Sequence, residues 1–164
     1  MKSQVLIVMG SDSDLSVMKA AAETLKELRI SCTMTIASAH RTPERAAKLA
    51  SEAEGMGIEV IIAGAGMAAH LAGVLASHTI LPVIGVPIDS SPLSGLDSLL
   101  STVQMPPGVP VATMAIGKAG AKNAAVFSAQ IIGRRDKKVA QRLKDLKKKL
   151  AEEVDSKAKA LKSS

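Results

Sequence analysis

The sequence predicts an α/β fold in three layers, a doubly wound parallel sheet covered by helices on both faces, with an extra helix at the C-terminus. Three observations carry this. Short apolar runs alternate with longer segments of helical spacing. The runs are apolar at successive positions rather than every second one, so each strand is buried on both faces. Gly, Ser and Pro cluster where each strand hands over to the next element. At 164 residues the chain suits one domain with a sizeable core.

Val5–Met9 is the first strand, and Gly10-Ser11-Asp12-Ser13-Asp14 turns the chain into a helix over Leu15–Leu28. Ser31–Ala37 is β-branched and mostly apolar, a second strand. Thr42 as N-cap and Pro43 at the first helical position start a helix that runs to about Met56 and stops at Gly57. Ile58–Ala63 is a third strand, broken by Gly64-Ala65-Gly66, and Ala68–Ser77 a short helix of small residues. Val83–Val86, between Pro82 and Pro87, is a fourth strand. A loop from Asp89 to about Gly95 leads to a helix over Leu96–Val103 and a turn at Met105–Gly108. Val111–Ala115 is a fifth strand, followed by an Ala-rich helix from Lys118 to about Gly133. This succession implies a flavodoxin-like sheet of order 2-1-3-4-5, with the ligand at the carboxyl ends of the strands near the switch point. Residues 1–133 form that catalytic domain. Residues 134–164 form a basic amphipathic helix, part of the same domain or packed on a neighbouring subunit.

Composition narrows the function. Phe127 is the one aromatic residue, which weakens any proposal of base stacking. The core must come from Val, Ile, Leu, Met and Ala. Because small side chains bury little area each, subunit contacts are expected to supplement it. The net charge of +6 is concentrated: residues 134–164 hold 12 Lys/Arg against 5 Asp/Glu, while residues 1–133 hold 9 against 10. In the basic segment Val139, Leu143, Leu146, Leu150, Val154, Ala158 and Leu161 recur every three or four residues, an apolar stripe beneath a basic face. An appendage helix or one packed on a partner subunit explains this better than a polyanion or membrane surface, so neither nucleic acid nor membrane is an expected partner. Cys32 is the single cysteine, which excludes an intramolecular disulfide and suits a reducing, cytoplasmic compartment. No apolar run reaches the length of a membrane span.

Three loops carry the chemistry. In the first, the hydroxyls of Ser11 and Ser13 and several backbone N–H groups at a helix N-terminus suit an anion, unless they only cap the helix. Asp12 and Asp14 argue against a bare phosphate nest unless one turns away or accepts a sugar hydroxyl. In the second, Ser38-Ala39-His40-Arg41-Thr42-Pro43, His40 stands directly beyond a strand end, where an imidazole can take and return a proton near neutral pH. Arg41 beside it can clamp a phosphate bidentately. In the third, Gly64-Ala65-Gly66-Met67-Ala68-Ala69-His70, the glycines allow close approach of a ligand to the backbone. Gly64, Gly66 and Ala69 formally fit a dinucleotide fingerprint, but it follows the third strand rather than the first. His70 either points inward at a ligand or caps its helix. His78, near a helix end, reads as a structural or surface group. His40, His70 and Cys32 share no metal-ligand spacing, so no metal is expected. The site suits a small phosphorylated substrate and a proton-transfer step.

These three loops, with Gly85-Val86-Pro87, Gly95-Leu96-Asp97-Ser98-Leu99, Val103-Gln104-Met105-Pro106 and Ala115-Ile116-Gly117-Lys118-Ala119-Gly120, resemble the PurE family over roughly residues 4–133. The His40-Arg41-Thr42-Pro43 form resembles its bacterial mutase class. The resemblance implies purine biosynthesis and an isomerase that converts N5-carboxyaminoimidazole ribonucleotide to 4-carboxy-5-aminoimidazole ribonucleotide. Decarboxylation would be followed by recapture of CO2 at C4, with His40 moving the proton. It further implies that Ser11, Ser13, Ser38 and Arg41 bind phosphate and substrate and that Asp14 accepts ribose hydroxyls. Gly64, Ala65, Gly66, Ala68, His70 and Leu71 would surround the base and CO2. It implies no cofactor and a homo-octamer with sites near subunit boundaries. Met67 stands where the family commonly has glycine, and Ala72 where it commonly has proline. The alternatives are direct carboxylation of aminoimidazole ribonucleotide and a non-catalytic flavodoxin-like binding domain. A response regulator is disfavoured because Gly64 stands where its phosphoacceptor Asp would be.

Overall fold

A strand buried on both faces needs a helix layer on each, and the computed structural model, which describes residues 3–162, is built that way. In chain order the elements are β1 (Val5–Met9), α1 (Leu15–Glu27), β2 (Cys32–Ile36), α2 (Pro43–Ala53), β3 (Val60–Gly66), α3 (Leu71–Ser77), β4 (Val83–Ile88), α4 (Leu96–Val103), β5 (Ala112–Thr113), α5 (Gly117–Gly133) and α6 (Lys137–Lys162). Among the described residues the sheet is wholly parallel, in the order β2-β1-β3-β4-β5. The predicted sheet order is therefore the observed one. Residues 1–2 and 163–164, the ends of the two predicted segments, lie outside the described residues.

Alternate residues of β1 feed opposite cores, which is why the run has no polar member. Val5, Ile7 and Met9 pack with Ile62, Ile84 and Val86 beneath α1, α5 and the start of α6. Leu6 and Val8 pack with Ile61, Ala63 and Val83 beneath α2 and α3. Fully burying one such aliphatic side chain contributes about 1.5–3 kcal/mol. The helices answer mainly with alanine: Ala46, Ala50 and Ala53 from α2, and Ala121, Ala124, Ala125 and Ala129 from α5. These methyl groups let the helix axes lie close to their neighbours.

Several element ends differ from expectation. β3 does not break at Ala63 but continues through Gly64-Ala65-Gly66, which pair with Val86, Pro87 and Ile88. β4 likewise runs through Pro87. The Gly85 carbonyl accepts the Met114 N–H on the β5 side, so the missing N–H of Pro87, two residues on, faces that same side. β5 has already ended there, and no ladder bond is lost. β5 keeps only two of its five expected residues: it is an edge strand entered from Pro110. The first turn of the expected Ala68–Ser77 helix is instead a pair of tight turns, and α3 begins at Leu71.

The stripe of α6 is used unevenly. Val139 is 1% exposed, and Leu143 and Leu146 pack against the core beneath α5. Leu150, Val154 and Leu161 are exposed. Arg135, just before α6, pairs with Glu59, which also accepts the Gln4 side-chain amide.

Candidate active site

The strand order reverses between β1 and β3, and there the loops leaving β1, β2, β3 and β4 converge. They enclose an open cleft of about 670 Å³. Ser11, Ser13 and Asp14 line it from the first loop, and Ser38, His40 and Arg41 from the second. Ala65, Gly66, Ala68, His70 and Leu71 line it from the third. Of the predicted site residues only Gly64 is not in the lining. Its α-carbon faces Met18 of α1 so closely that a side chain there would overlap the thioether, and its carbonyl accepts the Gly10 N–H at 3.1 Å.

The first loop does cap the turn. The Ser13 N–H donates to Ser11 Oγ at 3.4 Å, and the Ser11 N–H donates to Asp14 Oδ2 at 3.0 Å, a reciprocal capping arrangement. Asp12 Oδ1 also accepts the Ser13 N–H and the Ser11 hydroxyl. The loop's own carboxylates thus occupy the amide donors that the sequence offered to an anion. The Ser11 hydroxyl is likewise turned to Asp12 and the Ser13 side chain to Asp14, so Arg41 brings the free donors a phosphate would meet. Asp14 turns inward and is 5% exposed. Desolvation by burial pushes its carboxyl above the ordinary range, against hydrogen bonds from the Ser11 and Gly10 backbone that pull it down.

The second loop folds on Ser38 and Thr42. The Thr42 hydroxyl accepts the Ser38 N–H at 3.0 Å and donates to the Ser38 carbonyl at 3.1 Å. Thr42 stands at the N-cap of α2 as expected, but its side chain does not cap, because the loop has claimed it. The Ser38 hydroxyl accepts the Arg41 N–H at 3.2 Å. These bonds present His40 and Arg41 side by side. The Arg41 guanidinium makes a 3.4 Å bond to the Gly10 carbonyl, which leaves donors free for a ligand.

In the third loop the Ala69 N–H donates to the Met67 carbonyl and the His70 N–H to the Ala68 carbonyl. Met67 takes a left-handed conformation, with φ +53°. Gly66 packs so closely on the Ser90 hydroxyl that a side chain on it would overlap. The two turns carry His70 to the N-cap of α3, where its side chain makes no capping bond. It points into the cleft instead, with Nδ1 2.7 Å from His40 Nε2 and the rings edge to face. One ring must donate and the other accept, so the contact requires complementary tautomers of the two imidazoles.

Gly10, Ala39, Met67 and Ser90 also line the cleft, and the sequence reading did not assign them. Ser90 had a usable signal: it lies two residues past β4, at the same sheet edge as the other three loops. His78 is exposed at the C-terminus of α3, as expected for a structural or surface group. Among the described residues no group of three or more His, Cys, Asp or Glu could hold a metal. Nor is any helix long and apolar enough to cross a membrane.

The family described as AIR carboxylase matches residues 4–153. The N5-carboxyaminoimidazole ribonucleotide mutase of Pyrococcus horikoshii is 57% identical over 160 residues, 98% of this chain and 89% of that protein. The mutase of the same name from Escherichia coli K12 is 53% identical over 152 residues, 93% of this chain and 90% of its own. The crystal structure of Treponema denticola PurE2-S38D superposes with a TM-score of 0.89 at 29% identity, covering 99% of both chains.

Proposed function

The chain belongs to the AIR carboxylase family, and from that membership and the geometry of the cleft we infer that it is an N5-carboxyaminoimidazole ribonucleotide mutase. The observation that carries the reading is the His40–His70 pair, held at 2.7 Å in a cleft that also contains Arg41, four serines and a wall of small apolar residues. The carbamate N–C bond breaks, its electron pair stays on nitrogen with a proton from His40, and aminoimidazole ribonucleotide and CO2 result. C4 then attacks CO2, a C–C bond forms, and His40 takes the C4 proton. The proton given in the first half equals the proton taken in the second, so the reaction is a net isomerisation. CO2 kept beside C4 makes the recapture a local event rather than an encounter from solution.

Arg41, with the hydroxyls of Ser11, Ser13 and Ser38, anchors the phosphate end, which converts remote binding into orientation of the ring. Asp14 accepts ribose hydroxyls. Ala65, Gly66, Ala68, Leu71 and His70 surround the base and CO2, and Gly64 supports that wall from behind. The enzyme acts on a small phosphorylated nucleotide and CO2, in the cytoplasm, which the single cysteine supports. It works as a homo-octamer. Leu96, Leu100 and Val103 leave one side of α4 apolar and exposed, as an assembly surface would be, and mass measurement in solution tests the stoichiometry.

The direct experiment supplies the purified chain with the carbamate nucleotide, without ATP or added bicarbonate. The 4-carboxylated nucleotide is the expected product. Indifference to the carbamate with dependence on added CO2 would indicate direct carboxylation, and binding without turnover a non-catalytic domain.

A further inference from the structure

We propose that Met67 is the closing residue of the cleft, a thioether that folds over the imidazole and keeps CO2 against C4 until it is recaptured. The proposal rests on the mutase reading. Met67 lines the cleft yet is 59% exposed, so it stands at the mouth rather than in the wall. Its backbone is left-handed, with φ +53°, a conformation glycine adopts without strain and methionine does not. The chain holds a side chain here at a local cost, and the neighbouring backbone enforces it. Gly66 is locked on Ser90, and the Ala69 and His70 N–H groups close the two turns that follow.

Among the described residues lining the cleft, only Met67 and Leu71 carry an apolar side chain longer than a methyl group. Leu71 is 1% exposed and fixed in the core under α3. Met67 is therefore the apolar lining group able to swing. Its unbranched, polarisable chain suits a surface that must reshape around a ligand. The chemistry calls for such a group. The nucleotide can be held by Arg41 and the hydroxyls, but free CO2 is small and uncharged, and little retains it except exclusion from water.

The test gives wild type, Met67→Gly and Met67→Leu the carbamate nucleotide labelled with carbon-13 in the carbamate carbon. Unlabelled bicarbonate and carbonic anhydrase are present, and the products are read by mass. Wild type should retain the label in most product. Met67→Gly should lose it about five-fold more often and release correspondingly more aminoimidazole ribonucleotide. Met67→Leu should stay near wild type. The melting temperature of Met67→Gly should equal or exceed that of wild type, because glycine meets φ +53° freely, so label loss would not reflect unfolding. Equal label retention in wild type and Met67→Gly, with both turning over, overturns the proposal. So does a change confined to the assembly state. Absence of turnover by wild type itself removes the mutase premise, and the proposal with it.

Discussion

His40 and His70 are 30 residues apart in sequence and 2.7 Å apart in space, and the proton chemistry rests on that contact. Replacing His40 by Asn keeps a side chain of similar reach but removes the base. Turnover of His40→Asn should fall about a hundred- to ten-thousand-fold, with nucleotide affinity by calorimetry unchanged. Near-normal turnover would remove His40 from its assigned role. Asp14 supplies a second test at this scale. Its folded carboxyl titrates above the reference value of 3.8, chiefly through desolvation, so the folded state holds that proton more tightly than the unfolded chain does. The resulting stabilisation is complete below 3.8 and is lost as pH rises through the elevated folded value. Ionising this buried carboxyl as pH rises therefore costs the folded state stability. Asp14→Asn, whose amide oxygen can still accept the Ser11 N–H, should melt higher than wild type at neutral pH. The gap should close as pH falls below 3.8, and a gap independent of pH would contradict the assignment.

At the scale of elements, the C-terminal end of β3 sets the floor of the cleft. Gly64 lets Met18 of α1 approach the strand, and Gly66 lets the Ser90 hydroxyl do the same from the exit of β4. Gly66→Ala should destabilise the protein by about 1–3 kcal/mol, through overpacking of a site with no spare room. In that background Ser90→Ala should restore part of the loss, measured as a coupling of about 0.5–3 kcal/mol in a double-mutant cycle. Restoration should be partial, because the Ile88 carbonyl also lies 3.2 Å from the added carbon. Strict additivity of the two substitutions would show that the contact carries no energy.

For the whole molecule, the sheet separates two cores, and one of them is covered in part by α6, a helix that only partly belongs to the fold. Val139→Ala removes two methyl groups from a fully packed site and should cost about 1–3 kcal/mol in denaturant unfolding. Val154→Ala, at 65% exposure, should change the stability of the folded chain by less than about 0.5 kcal/mol. Equal effects at the two positions would show that the distal helix is packed as tightly as the proximal one. The amino-acid sequence by itself determined the element succession, the sheet order and the three loops that form most of the cleft. Those features are written locally: burial on both faces leaves an unbroken apolar run, and Gly, Ser and Pro mark where each run ends. Tertiary structure alone decided that β3 passes through its glycines, since its neighbour's hydrogen bonds set that end. It also decided that Asp12 and Asp14 take the amides of the first loop, that Thr42 serves Ser38 rather than α2, and that His70 faces His40 rather than capping α3. It decided how much of the α6 stripe finds a core: the apolar period is the same along the helix, but the body of the protein ends beneath Leu146. Each of these depends on which distant group arrives within hydrogen-bonding or van der Waals reach, and residue spacing along one segment does not encode that.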